Sequence, residues 1–227
     1  TGTLRVTRPR TMRIRFEGRL PDGVTAKDLS LAVISRHGSA GGNGYAVEYA
    51  GITVQALDIE ARLTLCNMAT EFSAMTGLVA PDEKTFAYLE GRRFAPRGDT
   101  WRRAVEHWRS LVSDDEATFD REIEIDAGRL EPMITWGTSP QHAVGISGHV
   151  PGLAESGTTR EAYERALAYM DVKPGDDLQS LAIGSAFIGS CTNSRISDLR
   201  RAAAILRGRR VAPGVRAICV PGSMSVK

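Results

Sequence analysis

The chain has 227 residues, of which 42% are hydrophobic and 25% charged, and its formal net charge is +2. This length allows one large domain or two small ones. The balanced charge argues against a nucleic acid or an acidic membrane as partner, and no apolar run reaches the roughly 18–20 residues of a membrane span. Three scattered cysteines lack the spacing of a disulfide framework and indicate free thiols in a reducing compartment, so we expect a cytoplasmic protein.

The first elements alternate between strand and helix patterns. Apolar and polar residues alternate from Arg10 to Glu17, which predicts a half-buried strand. Thr25 and Asp28 have the spacing of a capping box and predict a helix that continues through Leu29 to Ile34. A second strand is predicted over Tyr45–Tyr49, and turn and helical patterns follow over Ile59–Met75.

The middle of the chain contains a change in composition. A helix is predicted over Thr100–Leu111, acidic and polar residues dominate about Ser113–Thr118, and strand alternation returns over Phe119–Asp126. We therefore predict a domain boundary here, with a first domain over 1–118 and a second over 119–227. A further helix is predicted over Thr158–Met170.

The last third predicts a β-α-β unit. A buried strand over Leu181–Ile188, a helix over 194–208 and a strand over Val215–Val220 imply parallel strands joined by a right-handed crossover. The chain as a whole is therefore predicted to be α/β, with a parallel or mixed sheet.

Cys191 is the most informative single residue. It lies between the predicted strand and helix, within Gly189-Ser-Cys-Thr-Asn-Ser194. A helix N-terminus stabilises a thiolate, which can then act as a metal ligand or as a nucleophile. A nucleophile needs a nearby general base, and no histidine is close in sequence. On residue type alone, a buried core cysteine is the more common outcome.

Several segments resemble the aconitase family, and within it the isopropylmalate dehydratase branch. They occur in the family's order and cover essentially the whole chain: Leu20–Asp28, Gly41–Tyr49, Leu63–Met68, Gly77–Glu83, Ile134–Ser139, Phe187–Arg200 and Val211–Arg216. The resemblance implies a three-layer aconitase-type α/β domain and part of a second similar domain. It also implies an internal piece of a longer protein, without the N-terminal part and the C-terminal cysteine pair.

The resemblance implies a hydro-lyase of leucine biosynthesis that interconverts 2-isopropylmalate and 3-isopropylmalate by dehydration and rehydration. The family's 4Fe-4S cluster is held by three cysteines and leaves one iron open as a Lewis acid. Cys191 matches the first of these ligands, so this chain alone is expected neither to hold a cluster firmly nor to turn over substrate. The implied partners are a small hydroxy-dicarboxylate and a small subunit that carries the swivelling domain, in a heterodimer.

The family pattern also assigns roles to other residues. Asn67 corresponds to an amide beside the cluster, and Glu71 to a carboxylate near the open iron and its bound water. Four residues apart, they would share one face of a helix. Asn193 and Ser194 are expected near the cluster or as helix caps. Cys66 and Cys219 match no ligand and are expected to be buried thiols.

Weaker candidates have ordinary structural explanations. Arg195 could bind a substrate carboxylate or lie at the surface. His142 and His149 lack partners at metal-ligand spacing, and the glycine-rich segment Gly41–Gly44 lacks the context of a phosphate-binding loop and predicts a turn.

One departure from the family leaves alternatives open. Phe72 follows Glu71 where the leucine-pathway enzymes usually have small residues, which keeps a paralogue such as homoaconitase or dimethylmalate dehydratase possible. A non-catalytic piece that binds a protein or RNA is the other alternative, although the small net charge argues against RNA.

Overall fold

The computed structural model describes residues 2–189 and 192–227. Seven α-helices and eight strands occur in these ranges. The helices are α1 Ala26–His37, α2 Ile52–Ala56, α3 Ile59–Met68, α4 Glu83–Leu89, α5 Gly98–Arg109, α6 Arg160–Met170 and α7 Ile196–Leu206. The strands are β1 Arg10–Glu17, β2 Tyr45–Ala50, β3 Thr76–Val79, β4 Arg121–Asp126, β5 Met133–Thr135, β6 Ala143–Gly145, β7 Ser185–Ile188 and β8 Arg216–Cys219.

The main sheet has four parallel strands in the order β3-β2-β1-β4. The predicted α/β class with a parallel sheet is therefore confirmed. Strand β4 was expected to open the second domain, yet it pairs with β1 from Met12↔Arg121 to Glu17↔Asp126. The sheet thus includes residues on both sides of position 118, because the segment after the acidic stretch supplies its fourth strand. The division into two domains stays a prediction.

One face of this sheet carries the main core. Alternate residues of β1 (Met12, Ile14 and Phe16) are completely buried, as the period of two in the sequence predicts. They belong to one hydrophobic cluster with the apolar residues of α1 and α3. Helix α1 starts at the predicted capping box: the Asp28 carboxylate accepts from the Thr25 backbone N–H and hydroxyl, both at 2.7 Å.

The opposite face of the sheet is charged. The intervening residues Arg13, Glu48 and Glu122 lie in register on neighbouring strands, and Arg13 forms an ion pair with Glu122 at 2.6 Å. The Ser113 hydroxyl donates to Glu48 from the segment after α5. Parallel sheets usually have apolar residues on both faces, so this one is unusual in burying a single face.

A second, smaller cluster forms around Trp136. Strands β5 and β6 pair antiparallel in a stretch where no strand was predicted. Trp136 packs edge-on against Tyr163 of α6, with ring centroids 5.6 Å apart. The other buried members of the cluster are Val150, Ala166, Val172 and Leu178.

The predicted β-α-β unit is present, but it is not buried. Strands β7 and β8 pair in parallel, and α7 connects them. The prediction of a buried strand is wrong, since β7 alternates exposed and half-buried residues, and Cys219 on β8 is exposed rather than buried. The residues at 181–188 are apolar enough for a buried strand. Among the described residues, however, β7 pairs with β8 alone, so this two-stranded sheet leaves β7 partly exposed.

Among the described residues, no helix is both long and apolar enough to cross a membrane.

Candidate functional site

Two of the segments that resemble the family, Leu63–Met68 and Phe187–Arg200, are called the two family motifs below. Helix α3 contains the first of them. It is capped by Asp58, whose side chain accepts from the Ala61 backbone N–H, and it ends at Met68. Asn67 therefore lies in its last turn, whereas Glu71 lies in the turn that follows. The prediction that both side chains share one helix face is wrong, because the backbone leaves the helix three residues before Glu71.

The segment after residue 191 packs against α3. The Asn67 amide donates to the Thr192 hydroxyl at 3.0 Å, and the Asn193 amide donates to the Thr64 hydroxyl at 3.3 Å. Thr192 and Ser194 are buried, so these contacts are not surface encounters. Two motifs about 125 residues apart in sequence are thus in direct contact. Ser190 and Cys191, the predicted cluster ligand among them, lie outside the described residues.

Arg195 has a structural role at the start of α7. It is the N-cap residue of α7, and one guanidinium nitrogen contacts three oxygens: Thr192 O at 3.0 Å, Thr64 Oγ1 at 3.3 Å and Glu60 O at 3.4 Å. The Ser197 hydroxyl adds a bond to the Glu60 carboxylate. The helix begins at Ile196, so Asn193 and Ser194 precede the cap instead of providing it.

The backbone around Ser194 is tightly constrained. Ser194 has a φ of +82°, and its carbonyl accepts from Gly222 N–H at 2.9 Å. A Cβ on Gly222 would lie 2.9 Å from that carbonyl oxygen, so only glycine fits without displacement. The segment after β8 therefore holds the Ser194 turn in place.

Glu71 lines an open cavity of about 600 Å³. The cavity lies between the start of α1, the turn after α3 and the loop that joins β5 to the following 3₁₀ turn. Its polar lining consists of Thr25, Lys27, Asp28, Glu71, Thr135, Thr138, Ser139 and Thr192. The sequence singled out Glu71 for this site but missed Lys27, although the resembling segments Leu20–Asp28 and Ile134–Ser139 both reach the cavity.

The carboxylates of the cavity are used differently. Asp28 is occupied by structure, because one oxygen accepts from the Met133 N–H at 2.7 Å and the other from Thr25. Glu71 accepts only from the neighbouring Thr70 hydroxyl, at 2.9 Å through Oε2. Its second oxygen, Oε1, makes no hydrogen bond to any described residue. Glu71 is therefore the carboxylate that can act on a ligand here.

His142 supports the wall of the cavity from behind. Its ring stacks on Trp136 at 4.5 Å between centroids, and its carbonyl accepts from the Trp136 N–H at 3.0 Å. Both ring nitrogens are buried and make no hydrogen bond within the described ranges. Burial lowers the pKa of His142, so the ring is held neutral. This is a packing role, in line with the absence of metal-ligand partners in its sequence.

The described residues do not by themselves supply a cluster site. Within residues 2–189 and 192–227, no three His, Cys, Asp or Glu side chains are arranged to hold a metal ion. Cys66 is half-buried rather than fully buried as predicted, and burial raises the pKa of its thiol, which disfavours the thiolate that a metal needs.

The glycine-rich segment is a packing feature and not a phosphate cradle. A Cβ on Gly41 would lie 2.4 Å from the Phe72 ring, and one on Gly42 would lie 2.7 Å from it. Gly42 also donates its N–H to the Phe72 carbonyl at 2.9 Å. Phe72 thus occupies the space that the two glycines leave, and it does not line the Glu71 cavity.

Comparison with known proteins agrees with these features. The family model of aconitase (aconitate hydratase) matches residues 1–227. A curated relative from Bradyrhizobium diazoefficiens, named 3-isopropylmalate dehydratase large subunit 1, is 55% identical over 229 residues, covering 100% of this chain and 48% of the relative. The chain therefore spans about half the length of that relative. With a family match over its whole length, the chain belongs to the aconitase family.

Proposed function

We propose that this chain forms part of the large subunit of a hydro-lyase that interconverts 2-isopropylmalate and 3-isopropylmalate in leucine biosynthesis, in the cytoplasm. The relative's name supports this substrate, and the words "large subunit" in that name support a smaller partner subunit. The family match supports the reaction type.

The observation that carries the proposal is the convergence on one cavity. Glu71, Thr192 and the loop 135–139 come from three separate parts of the chain and line the same space. Dehydration requires a group that gives a proton to the leaving hydroxyl, and hydration requires a group that takes one from the attacking water. Glu71 has a carboxylate oxygen, Oε1, available for that purpose, and the Thr70 hydroxyl orients the other oxygen.

A 4Fe-4S cluster is the proposed cofactor, with Cys191 as one of its three thiolate ligands. When bound, it would supply a Lewis acid for a hydroxyl leaving group. The Asn67 amide is already oriented by its bond to Thr192, next to that ligand in sequence. The proposed part of Asn67, Asn193 and Ser194 is to hold the 192–194 segment in position beside it.

A hybrid enzyme tests the proposal. Residues 1–227 would replace the matching segment of the Bradyrhizobium large subunit, which would then be combined with its small subunit and assayed on 3-isopropylmalate. We expect the hybrid to be active, and Glu71→Gln to lower kcat about 100-fold to 10,000-fold, as for loss of a general acid–base. Glu90→Gln, at an exposed carboxylate outside the cavity, is the matched control.

Two results would contradict this proposal. An inactive but folded hybrid would contradict the proposed reaction. Turnover of a longer tricarboxylate in place of 3-isopropylmalate would contradict the proposed substrate.

A separate measurement addresses the chain alone. After anaerobic reconstitution with iron and sulfide, we expect well below four irons per chain and little visible absorption, since one ligand of three is present. A stable four-iron cluster would mean that other thiolates contribute.

A further inference from the structure

Lys27 differs from the other lysines of the chain. The sequence contains four, of which Lys84, Lys173 and Lys227 are exposed, while Lys27 is half-buried. Lys84 donates to three backbone carbonyls at 2.6–3.2 Å. The ammonium of Lys27 has neither a hydrogen bond nor an ion pair with any residue that the structure describes. Its ammonium is not among the buried polar atoms of the described residues that lack a hydrogen bond, so it is open to the cavity, where water or a ligand can bind it.

Its position in the helix does not explain the charge. Lys27 is the second residue of α1, where the helix dipole disfavours a cation. No ion pair joins it to the neighbouring Asp28 among the described residues, and both Asp28 oxygens already accept bonds, from Thr25 and from the Met133 N–H. The local fold thus tolerates Lys27 without using its charge.

Lys27 faces the space where the two family motifs meet. It lines the Glu71 cavity together with Thr135 and Thr192. It also lines an adjoining cavity of about 220 Å³ with Gly189, Ser194 and Asp198. An ammonium with three donors at this junction is suited to an anion, and a carboxylate is the anion that best matches its size and charge.

We propose that Lys27 binds a carboxylate of the substrate and thereby makes the site selective for dicarboxylic hydroxy acids. This rests on the proposed function, which supplies a substrate with two carboxylates. Glu71 then handles the proton of the leaving or entering water, and the Lys27 ammonium holds a carboxylate of the same molecule. The hydroxyls of Thr135 and Thr138 line the same cavity and can donate to a bound carboxylate.

Lys27→Met is the main test, because it removes the charge and keeps the length of the aliphatic stem. In the hybrid enzyme we expect KM for 3-isopropylmalate to rise about tenfold to hundredfold, as for a lost hydrogen bond to a charged group, with kcat nearly unchanged. Lys27→Arg restores the cation and should recover most of the affinity. Lys173→Met, at an exposed lysine away from the cavity, is the control.

A second readout separates carboxylate binding from a merely structural role. The wild-type site should prefer 3-isopropylmalate over an analogue in which one carboxylate is replaced by a neutral amide, and Lys27→Met should lose that preference. An unchanged KM and an unchanged preference in a folded Lys27→Met variant would overturn the proposal. So would an equal loss in Lys27→Arg, since the charge would then not be the cause.

The chain alone gives a test that does not depend on turnover. Malonate, a simple dicarboxylate, would be titrated while the backbone amide signals of Thr135–Ser139 and Thr192 are followed by NMR. We expect saturable shifts in the wild type that are lost in Lys27→Met and kept in Lys173→Met. Equal binding in all three, or none in the wild type, overturns the role of Lys27 even if the hybrid is active. Conversely, an inactive hybrid together with Lys27-dependent malonate binding contradicts only the proposed reaction.

Discussion

Two of the parallel β-α-β arrangements among the described residues are stabilised in different ways. In the first, β1, α1 and β2 share a hydrophobic cluster in which β1 and α1 are almost completely buried on their inner faces. In the second, β7, α7 and β8 have the same topology, but no residue of α7 is buried and β8 is exposed throughout. The second unit is attached to α3 by polar contacts from Asn193, Arg195 and Ser197. Topology therefore does not determine how strongly a unit is held.

The largest difference between the two units should appear on truncation of the same side chain in each. Ile14 on β1 has no exposed surface, and Ile205 on α7 is 63% exposed. We expect Ile14→Ala to lower the free energy of unfolding by about 2–5 kcal/mol because it leaves a cavity. Ile205→Ala should change it by about 0.5 kcal/mol or less. Chemical denaturation of both variants measures this, and equal losses would mean that α7 is buried in solution.

A smaller effect is expected from two ion pairs with different burial. The Arg62 side chain is 5% exposed and makes two bonds to Asp82, at 2.6 and 2.8 Å, whereas Asp99 and Arg102 are both highly exposed. The hydrogen bond from Arg62 holds the pKa of Asp82 below its usual value. Asp82→Asn should cost about 1–3 kcal/mol, the range for a lost bond to a charged group, and Asp99→Asn about 0–1 kcal/mol.

The pH dependence of the Asp82 contribution has a definite sign. A carboxyl whose pKa is lower in the folded state contributes stability that is present above its unfolded pKa of 3.8 and is lost as the pH falls through the folded value. The difference in stability between wild type and Asp82→Asn should therefore shrink below about pH 4. A difference that stays constant down to pH 2 would show that the ionised form of Asp82 is not what matters.

The predictable part of the fold is the part with strong local signals. Period-two alternation located β1 and β4, and a capping box located the start of α1, because these patterns reflect burial and backbone hydrogen bonds of the segment itself. The short strands β3, β5 and β6 were missed, since three or four residues are too few for a period to show. The apolar run at 181–188 was correctly read as strand-forming but wrongly as buried, because hydrophobicity does not reveal which neighbours cover a strand.

The site was predictable only as far as the family resemblance reached. The resemblance singled out Asn67 and Glu71, but the contact of Asn67 with Thr192 depends on packing between distant segments, which no local pattern encodes. The structural role of Arg195 was not foreseen for the same reason: a residue that caps a helix and bonds to another helix has the sequence appearance of a surface arginine. Lys27 escaped notice because the capping box at Thr25 and Asp28 already accounted for its surroundings.

An intermediate effect is expected at the contact between α7 and α3. Arg195→Gln removes a guanidinium that bonds to Glu60, Thr64 and Thr192, so the attachment of α7 to α3 should weaken while the main core is untouched. We expect amide hydrogen exchange over 196–206 to become about tenfold faster, equivalent to about 1.4 kcal/mol. Exchange in β1 should not change. Arg200→Gln, on the exposed side of α7, is the matched control, and faster exchange there as well would assign the effect to helix propensity.

The smallest expected effect is a loss of stability in mild acid, caused by the lowered pKa of His142. Burial lowers the pKa of this ring below 6.5 in the folded state, so the unfolded chain binds more protons once the pH falls below about 6.5. Stability should be constant above that pH and decrease below it, until the pH reaches the folded pKa. His37 contributes in the same direction, since burial and the nearby Arg121 and Arg36 lower its pKa.

His142→Phe keeps a ring on Trp136 and should remove one part of the dependence of stability on pH. His149→Phe controls for the loss of an exposed imidazole. Thermal unfolding between pH 5 and 8 measures the slope. Because His142 supports the loop 135–139, the Glu71 cavity should be the first part of the molecule to loosen in acid, whereas an unchanged slope in His142→Phe would place the acid sensitivity in the main core instead.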